Sequence, residues 1–177
     1  MVTRCQFANT PQMIAYHDEE WGKMKNSSQE IFEALSLEAM QAGLSWAIIL
    51  NKRQAMRHAY ANFDMVQLSR FDEADVERLM LDEGIIRHRL KIKAMIHNAQ
   101  LALSIEESPQ LPSFRDYIYQ MAADFSHQLN NQEDDINQAM AKQLKKTGFK
   151  FVGPTIVEAF LEAIGVYNHH DSQCFLR

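Results

Sequence analysis

The chain has 177 residues, of which 46% are hydrophobic and 23% are charged, as is typical of a soluble globular protein. A chain of this length can form one domain that buries about 70% of its unfolded surface. Its net charge is −5, no apolar run approaches the roughly 20 residues that span a bilayer, and no apolar signal core follows the first residues, so we expect a cytoplasmic protein without membrane partners.

Apolar residues recur at helical spacing along almost the whole chain, and no alternating run is long enough to indicate a strand. Helices are predicted, in chain order, from Ser27 to Gly43, from Trp46 to about Ala61, from Asp72 to Gly84, after Arg89, near 113–124, at 136–147 and from Pro154 to Gly165. Ser27 and Glu30 can form a capping box, and Ser45 and Asp72 are expected to cap the next two helices. The polar residues 124–135 indicate a surface loop. The predicted fold class is all-α.

Basic residues are concentrated in two stretches that contain no acid, although the net charge is negative. One stretch holds Arg87, Arg89, Lys91 and Lys93, and the other holds Lys142, Lys145, Lys146 and Lys150. Such patches on an acidic body suit a phosphate backbone held at one face. The alternative is that both stretches are solvated helix faces.

The short connection between the last two predicted helices has a glycine at each end. Two helices joined by Gly148–Gly153 have the layout of a helix-hairpin-helix, which would span about 136–165. Glycine lets the backbone approach a phosphate closely, and free N–H groups at a helix start favour an anion. Gly148, Gly153, Lys146 and Lys150 are therefore the predicted DNA-binding residues. Connections bounded by glycine are common between helices, so the pattern alone is a weak signal.

The only two cysteines lie near opposite ends of the chain, and each has a histidine close by in sequence. Cys5 is followed by His17, and His170 precedes Cys174. Two thiols and two imidazoles make a complete tetrahedral ligand set for Zn²⁺. The alternatives are two inert thiols or a disulfide, because the first spacing is not that of a standard zinc finger. A reducing cytoplasm disfavours the disulfide.

Four segments of the chain resemble the 3-methyladenine-DNA glycosylase I family, which belongs to the helix-hairpin-helix DNA glycosylases. They are Tyr16–Gly22 (YHDEEWG), Leu37–Trp46 (LEAMQAGLSW), Gly84–Arg89 (GIIRHR) and Gly148–Gly153 (GFKFVG). Their order and spacing agree with the family, and the resemblance extends from about Cys5 to Cys174. It implies that residues 1–177 form a single DNA glycosylase domain, and that the protein is located in the bacterial cytosol. It also implies a structural zinc ion that joins the two termini through Cys5, His17, His170 and Cys174.

The resemblance implies hydrolysis of the N-glycosidic bond of 3-methyladenine in double-stranded alkylated DNA, as part of base excision repair. The damaged nucleotide would be flipped out of the duplex into a pocket. Tyr16 and Trp46 offer aromatic faces, on which base stacking is worth about 1–3 kcal/mol. Glu38 is the expected catalytic and substrate-binding carboxylate, because it would attract a positively charged base. Trp21 and Phe7 can complete the pocket, although either could be a core residue, and Glu38 could be an ordinary solvated helix residue.

Some positions depart from the family pattern. Asn168 falls where many helix-hairpin-helix glycosylases have a general-base Asp, so the source of water activation is open. Pro154 follows Gly153 where a lyase would need a nucleophilic Lys, which predicts a monofunctional glycosylase unless Lys150 serves instead. Met13, Phe7 and Tyr119 replace aromatic residues that are common in relatives, so base selection could be weaker or wider.

Two other classes of function remain open from the sequence. One is a non-catalytic module that binds damaged DNA or other nucleic acid on the same fold. The other is a zinc-stabilised helical interaction protein in which the aromatic set and Glu38 are incidental. In each case we expect a monomer without a nucleotide cofactor.

Overall fold

The structure is a computed structural model that describes residues 2–177, and these residues contain helices and no strand. The helices are α1 (Pro11–Glu19), α2 (Ser28–Gln41), α3 (Trp46–Ala59), α4 (Met65–Leu68), α5 (Glu73–Leu81), α6 (Arg89–Glu106), α7 (Phe114–Gln128), α8 (Glu133–Thr147) and α9 (Pro154–Ala163), with a 3₁₀ turn at Ala61–Phe63. The all-α prediction is confirmed. None of these helices combines the length and the apolar character needed to cross a bilayer.

Helix α2 lies at the centre of the fold and packs against α3, α6, α7 and α9. Ile31, Phe32, Leu35 and Met40 are fully or almost fully buried, because neighbours surround the helix on several sides. In this setting a charged residue on the buried surface of α2 cannot reach bulk water easily. Glu38, which lies on this helix, is therefore a charged residue in a largely buried setting.

The predicted helix starts are mostly confirmed. Ser27 and Glu30 form the expected reciprocal capping box at α2, and Asp72 forms another with Asp75 at α5. Ser45 occupies the N-cap position of α3, but its side chain makes no capping hydrogen bond. The prediction that Ser45 caps through its side chain is therefore wrong.

The prediction of a surface loop at 124–135 is also wrong. Helix α7 continues to Gln128 and α8 begins at Glu133, so that only 129–132 connects them. The polarity of this stretch marks helix faces that are turned to solvent, since each helix needs only one apolar face for the core. The acidic residues at the start of α8 also interact favourably with the positive end of its dipole.

Candidate active site and metal centre

A cavity of about 200 Å³ lies where α1, α2, α3 and α9 meet, and we call it the aromatic cavity. It is lined by Phe7, Met13, Tyr16, Trp21, Glu38, Gln41, Trp46, Ala159 and Glu162. The fold therefore brings together all five residues that the sequence nominated for a substrate pocket. It also adds a residue that sequence reasoning missed, Glu162 on α9.

The aromatic side chains are arranged in two pairs. The ring centroids of Tyr16 and Trp46 are 5.2 Å apart at an angle of 47°, and those of Phe7 and Trp21 are 5.0 Å apart at 85°. Burial, with the charge of Glu38 as the next cause, raises the pKa of Tyr16 well above its usual range. Tyr16 therefore remains an uncharged phenol, which can offer both a ring face and a hydroxyl to a bound ring.

The carboxylate of Glu38 is held without a protein partner. The residue is only 5% exposed, and its side chain makes no hydrogen bond or ion pair with any residue in 2–177. Burial, with the charge of Glu162 as the smaller cause, raises the pKa of Glu38 to about 8. Ionisation of a buried carboxyl without a partner costs free energy, because the charge has lost its hydrating water and no hydrogen bond or counter-charge replaces it. The site therefore favours a bound cation or hydrogen-bond donor, and the idea that Glu38 is an ordinary solvated residue is wrong.

A wider groove of about 510 Å³ connects the aromatic cavity with the beginning of α9. The two share Glu38, Gln41, Ala159 and Glu162, and the groove also includes Gly43, Leu44, Thr155 and Ile156. The entrance to the aromatic cavity therefore lies beside the turn that joins α8 and α9. A ligand that contacts this turn can extend into the cavity.

The α8–α9 connection forms the predicted hairpin, and a buried asparagine from α6 holds its turn. Asn98 accepts a hydrogen bond from the Lys150 N–H at 2.8 Å and donates one to the Lys150 carbonyl at 3.0 Å. Gly148 ends α8 with φ of +111°, a conformation that favours glycine. No hydrogen-bond acceptor within the described chain is paired with the N–H groups of Phe151, Val152 and Gly153. Unpaired N–H groups at the start of a helix can donate hydrogen bonds to an anion.

The two predicted basic patches differ in how many of their charges are paired with acids. Lys142, Lys145, Lys146 and Lys150 are exposed and form no ion pair with residues 2–177. In the other stretch, Arg89 contacts Glu73 and Glu77, while Lys93 also contacts Glu73. The acids of α5 therefore offset the charges of Arg89 and Lys93, so that this stretch offers less free positive charge than its sequence alone indicates.

Lys91, from the same stretch, is buried. Its ammonium donates to the carbonyl oxygens of Met40 and Ala42 at 2.9 and 2.8 Å, at the carboxyl end of α2. A cation is favourable at that end of a helix. Lys91 therefore stabilises the end of α2 and the turn that follows it.

Cys5, His17, His170 and Cys174 are all buried and form one cluster, with every ligand atom within 4.8 Å of the others. The His170 Nδ1 atom lies 3.2 Å from His17 Nε2, 3.5 Å from Cys5 Sγ and 3.6 Å from Cys174 Sγ. Ligand atoms bound tetrahedrally to Zn²⁺ are roughly 3.3–3.8 Å apart, given metal–ligand bonds of about 2.0–2.3 Å. Both thiols are free rather than joined in a disulfide. The cluster could therefore bind a metal ion.

The surroundings of the cluster are also suited to a metal. The carboxylate of Asp18 lies 2.8 Å from His17 Nδ1, and Arg4 binds the same carboxylate. Such a partner fixes the orientation of a ligating imidazole. Without a cation, burial is the main cause that raises the pKa of Cys5 to about 11, so a metal would have to displace its proton.

The cluster and the aromatic cavity share a wall. The Trp21 ring lies 4.6 Å from the His170 ring, and the Phe7 ring lies 5.5 Å from the His17 ring. At Gly22 a Cβ atom would come within 3.0 Å of His170 Nε2, and its φ is +73°. Phe7 and Trp21 therefore pack against the two histidines of the cluster.

Two positions that depart from the family pattern do not lie in the cavity. Asn168 is exposed, and its Oδ1 accepts a hydrogen bond from the His170 N–H at 3.2 Å. The Tyr119 hydroxyl donates to the Ile164 carbonyl and accepts from the Lys25 N–H, each at 2.8 Å. Neither residue lines the aromatic cavity or its groove. Of the three positions whose effect on base selection the sequence left open, Met13 and Phe7 therefore line the cavity and Tyr119 does not.

The chain is similar to known proteins over almost its whole length. Residues 6–177 match the family described as methyladenine glycosylase. The chain is 40% identical to DNA-3-methyladenine glycosylase 1 of Escherichia coli (strain K12), over 97% of this chain and 95% of that protein. It is 35% identical to DNA-3-methyladenine glycosylase of Haemophilus influenzae, over 98% and 97% of the two chains.

Solved structures show the same similarity. A crystal structure of 3-methyladenine DNA glycosylase I has a TM-score of 0.87 and 39% identity, with 98% of each chain covered. The 3-methyladenine DNA glycosylase I of Staphylococcus aureus, solved to establish its recognition of 3-methyladenine, has a TM-score of 0.85 and 32% identity, with 98% of this chain and 95% of that chain covered.

Proposed function

The chain belongs to the methyladenine glycosylase family, and we propose that it is a DNA-3-methyladenine glycosylase, which hydrolyses the N-glycosidic bond of 3-methyladenine in alkylated double-stranded DNA. The products are the free base and an abasic site. One observation of the site carries this proposal: the unpaired carboxylate of Glu38 faces an aromatic cavity beside the hairpin.

The aromatic cavity is proposed to receive the damaged base after it leaves the duplex, because a stacked base hides its glycosidic bond. Tyr16 and Trp46 would stack against the base, and Phe7 and Trp21 would close the other side. Adenine methylated at N3 carries a positive charge in DNA, whereas unmodified adenine is neutral. The Glu38 carboxylate favours the charged base, so that electrostatics would distinguish damaged from normal nucleotides.

The chemical step needs little help from the protein, because a cationic base is an activated leaving group. The bond between the sugar and the base breaks, its electron pair neutralises the base, and the sugar carbon becomes cationic. Water supplies the new oxygen, and its proton passes to solvent. Glu38 would hold the base in position and stabilise positive charge while the bond breaks. No residue of this chain is assigned as a general base, because Asn168, at the position of the usual Asp, carries a neutral amide that cannot take a proton from water.

The α8–α9 hairpin is proposed to hold the DNA backbone at the entrance to the cavity. Gly148 and Gly153 allow a close approach of the phosphate, and Lys146 and Lys150 add positive charge. The free N–H groups of the turn provide hydrogen bonds to the phosphate.

Gly153→Ala tests this assignment. The φ of Gly153 is −68°, and a Cβ atom there would meet nothing within 4 Å, so the folded chain does not require glycine at this position. We expect the thermal midpoint of the variant to stay close to that of the wild type. Its affinity for duplex DNA should fall about tenfold, because the added methyl group would occupy the space of a phosphate. Fluorescence anisotropy at fixed salt measures this affinity.

Gly148→Ala is the matched comparison. Gly148 has a left-handed φ and a Cβ atom there would come within 3.3 Å of Leu101, so this variant should lose stability as well as DNA affinity. If Gly153→Ala bound DNA with the affinity of the wild type, the hairpin would not be part of the DNA interface.

We further propose that the enzyme is monofunctional. Lyase activity needs an amine that attacks the sugar and forms a Schiff base. Lys150 is the lysine nearest to the hairpin end, but its backbone is fixed by Asn98 and its side chain is exposed. We expect no covalent adduct between protein and DNA after treatment with borohydride. An adduct that is absent from Lys150→Gln would show that Lys150 is a nucleophile.

The metal bound by Cys5, His17, His170 and Cys174 is proposed to be a structural Zn²⁺ ion. The two thiols and two imidazoles suit zinc, and they fill a tetrahedral set without leaving a position for water. A site of this kind joins the two ends of the chain and supports Phe7 and Trp21 from behind.

The decisive experiment is excision of 3-methyladenine from methylated duplex DNA by the purified protein. Release of the base separates the glycosylase from a non-catalytic binding module and from a helical interaction protein. Absence of release with salt-dependent binding to the same duplex would favour the binding module. Absence of both would favour the interaction protein.

A further inference from the structure

Glu162 is a second carboxylate at the aromatic cavity, and the proposed reaction gives it no role. It lies on α9, one turn after Ala159, and both residues line the cavity and the groove that leads to the hairpin. Its side chain is 23% exposed, so it is partly desolvated. Glu38 reaches the same cavity from α2.

Only one oxygen of Glu162 is occupied. His169 Nδ1 lies 2.5 Å from Glu162 Oε1, and His169 Nε2 lies 2.7 Å from Glu133 Oε2. The His169 ring also stacks on Tyr167, with centroids 5.4 Å apart at 16°. These contacts fix the carboxylate, while its Oε2 atom accepts no hydrogen bond from residues 2–177. The second oxygen is therefore free to interact with a ligand.

The walls of the aromatic cavity contain two acids and no basic residue. The acids influence each other, because the charge of Glu162 contributes to the raised pKa of Glu38. The other charged or titratable groups near Glu162 are His169, Glu133 behind it, Tyr167, Tyr16 across the cavity and Glu158 one turn earlier on α9. Two carboxylates that face one space attract a cation more strongly than either does alone.

We propose that Glu162 is a further specificity-determining residue, which together with Glu38 selects positively charged alkylated bases over neutral ones. This inference rests on the proposed function. It assigns to Glu38 the contact with the base and to Glu162 a second negative charge at the wall of the cavity. The residue increases the preference for a cationic base without taking part in bond breakage.

Glu162→Gln tests the proposal, because it keeps the shape of the side chain and removes its charge. Two duplexes are compared at fixed salt: one contains 3-methyladenine, and the other contains a neutral isostere in which carbon replaces the methylated ring nitrogen. We expect kcat/KM for the cationic base to fall about tenfold, while Kd for the duplex with the neutral isostere stays unchanged. The pH midpoint of kcat/KM should also move to lower pH, since Glu38 loses a repulsive neighbour. A purely structural role of Glu162 would not move this midpoint in that direction.

Asp134→Asn is the matched control. Asp134 is exposed on α8 and, like Glu162, its charge raises the pKa of Tyr167, but it does not line the cavity. The control should leave both substrates unaffected. Equal losses for the cationic and neutral duplexes in Glu162→Gln, or no loss for either, would overturn the proposal while the wild-type enzyme still excises 3-methyladenine. A wild-type protein that releases no base would instead overturn the proposed function, and this inference with it.

Discussion

Replacement of Cys174 by serine is expected to lower the free energy of unfolding by on the order of 5 kcal/mol, a part of the roughly 10–16 kcal/mol that structural zinc supplies to small zinc domains. Cys174 is buried, and its Sγ atom lies 3.3 Å from His17 Nε2 in the four-residue cluster. Loss of this ligand would release the metal and the connection between the two ends of the chain. Chemical denaturation and the zinc content of the purified protein, one ion per wild-type chain and none in the variant, measure the effect.

Ser172→Ala provides the control, because Ser172 is exposed in the same carboxyl-terminal segment and belongs to no cluster. It should retain both zinc and stability. Activity of Cys174→Ser at a temperature at which it is still folded should remain measurable, because the metal does not touch the substrate. A variant that lacks zinc, keeps wild-type stability and loses activity would show that the metal acts in catalysis.

Replacement of Glu38 by glutamine is expected to lower kcat/KM for 3-methyladenine by about 100-fold, as is typical when one partner of a buried charge interaction is lost. Glutamine has nearly the same shape but carries no charge to attract the base. The Kd for a duplex with a neutral isostere of the base should change little. Single-turnover excision measures the effect on the cationic base, and binding measurements give the affinity for the neutral duplex. Unchanged excision would show that Glu38 has no role in recognising the base.

The pH dependence of kcat/KM of the wild type should follow the ionisation of Glu38. Because the pKa of Glu38 in the empty cavity is about 8, its ionised fraction rises about tenfold per pH unit below that value. We therefore expect kcat/KM to rise with pH and to level off above about 8. The profile of Glu38→Gln should lack this rise.

The raised pKa also predicts a change in stability. The carboxyl ionises near 4.5 in the unfolded chain and near 8 in the folded protein. The folded state consequently binds more protons between these values, and stability falls as pH rises from about 4.5 to about 8. Glu38→Gln should thus gain stability relative to the wild type over this interval, as measured by thermal unfolding at several pH values.

Much of the fold could be predicted from the sequence, because capping residues and helical periodicity act over only a few neighbouring positions. The capping box at Ser27, the cap at Asp72 and the glycine that ends α8 at Gly148 are examples. The failure at 124–135 has the same local origin. A polar stretch can be a loop or a solvated helix face, and only the packing partner distinguishes the two.

The set of candidate residues could also be nominated from the sequence, since Cys5, His17, His170 and Cys174 have the chemistry of a zinc site and four segments resemble one family. The sequence alone determined the helical class, the hairpin and the kinds of side chain that reach the cavity.

Only the tertiary structure decided which charges remain free. It paired Arg89 and Lys93 with acids of α5, buried Lys91 at the end of α2, and left Glu38 without a partner. It also placed Glu162 at the same cavity as Glu38, more than 100 positions away in sequence. The free energy of a charge depends on the water and the charges around it, and residues that are distant in sequence set that environment.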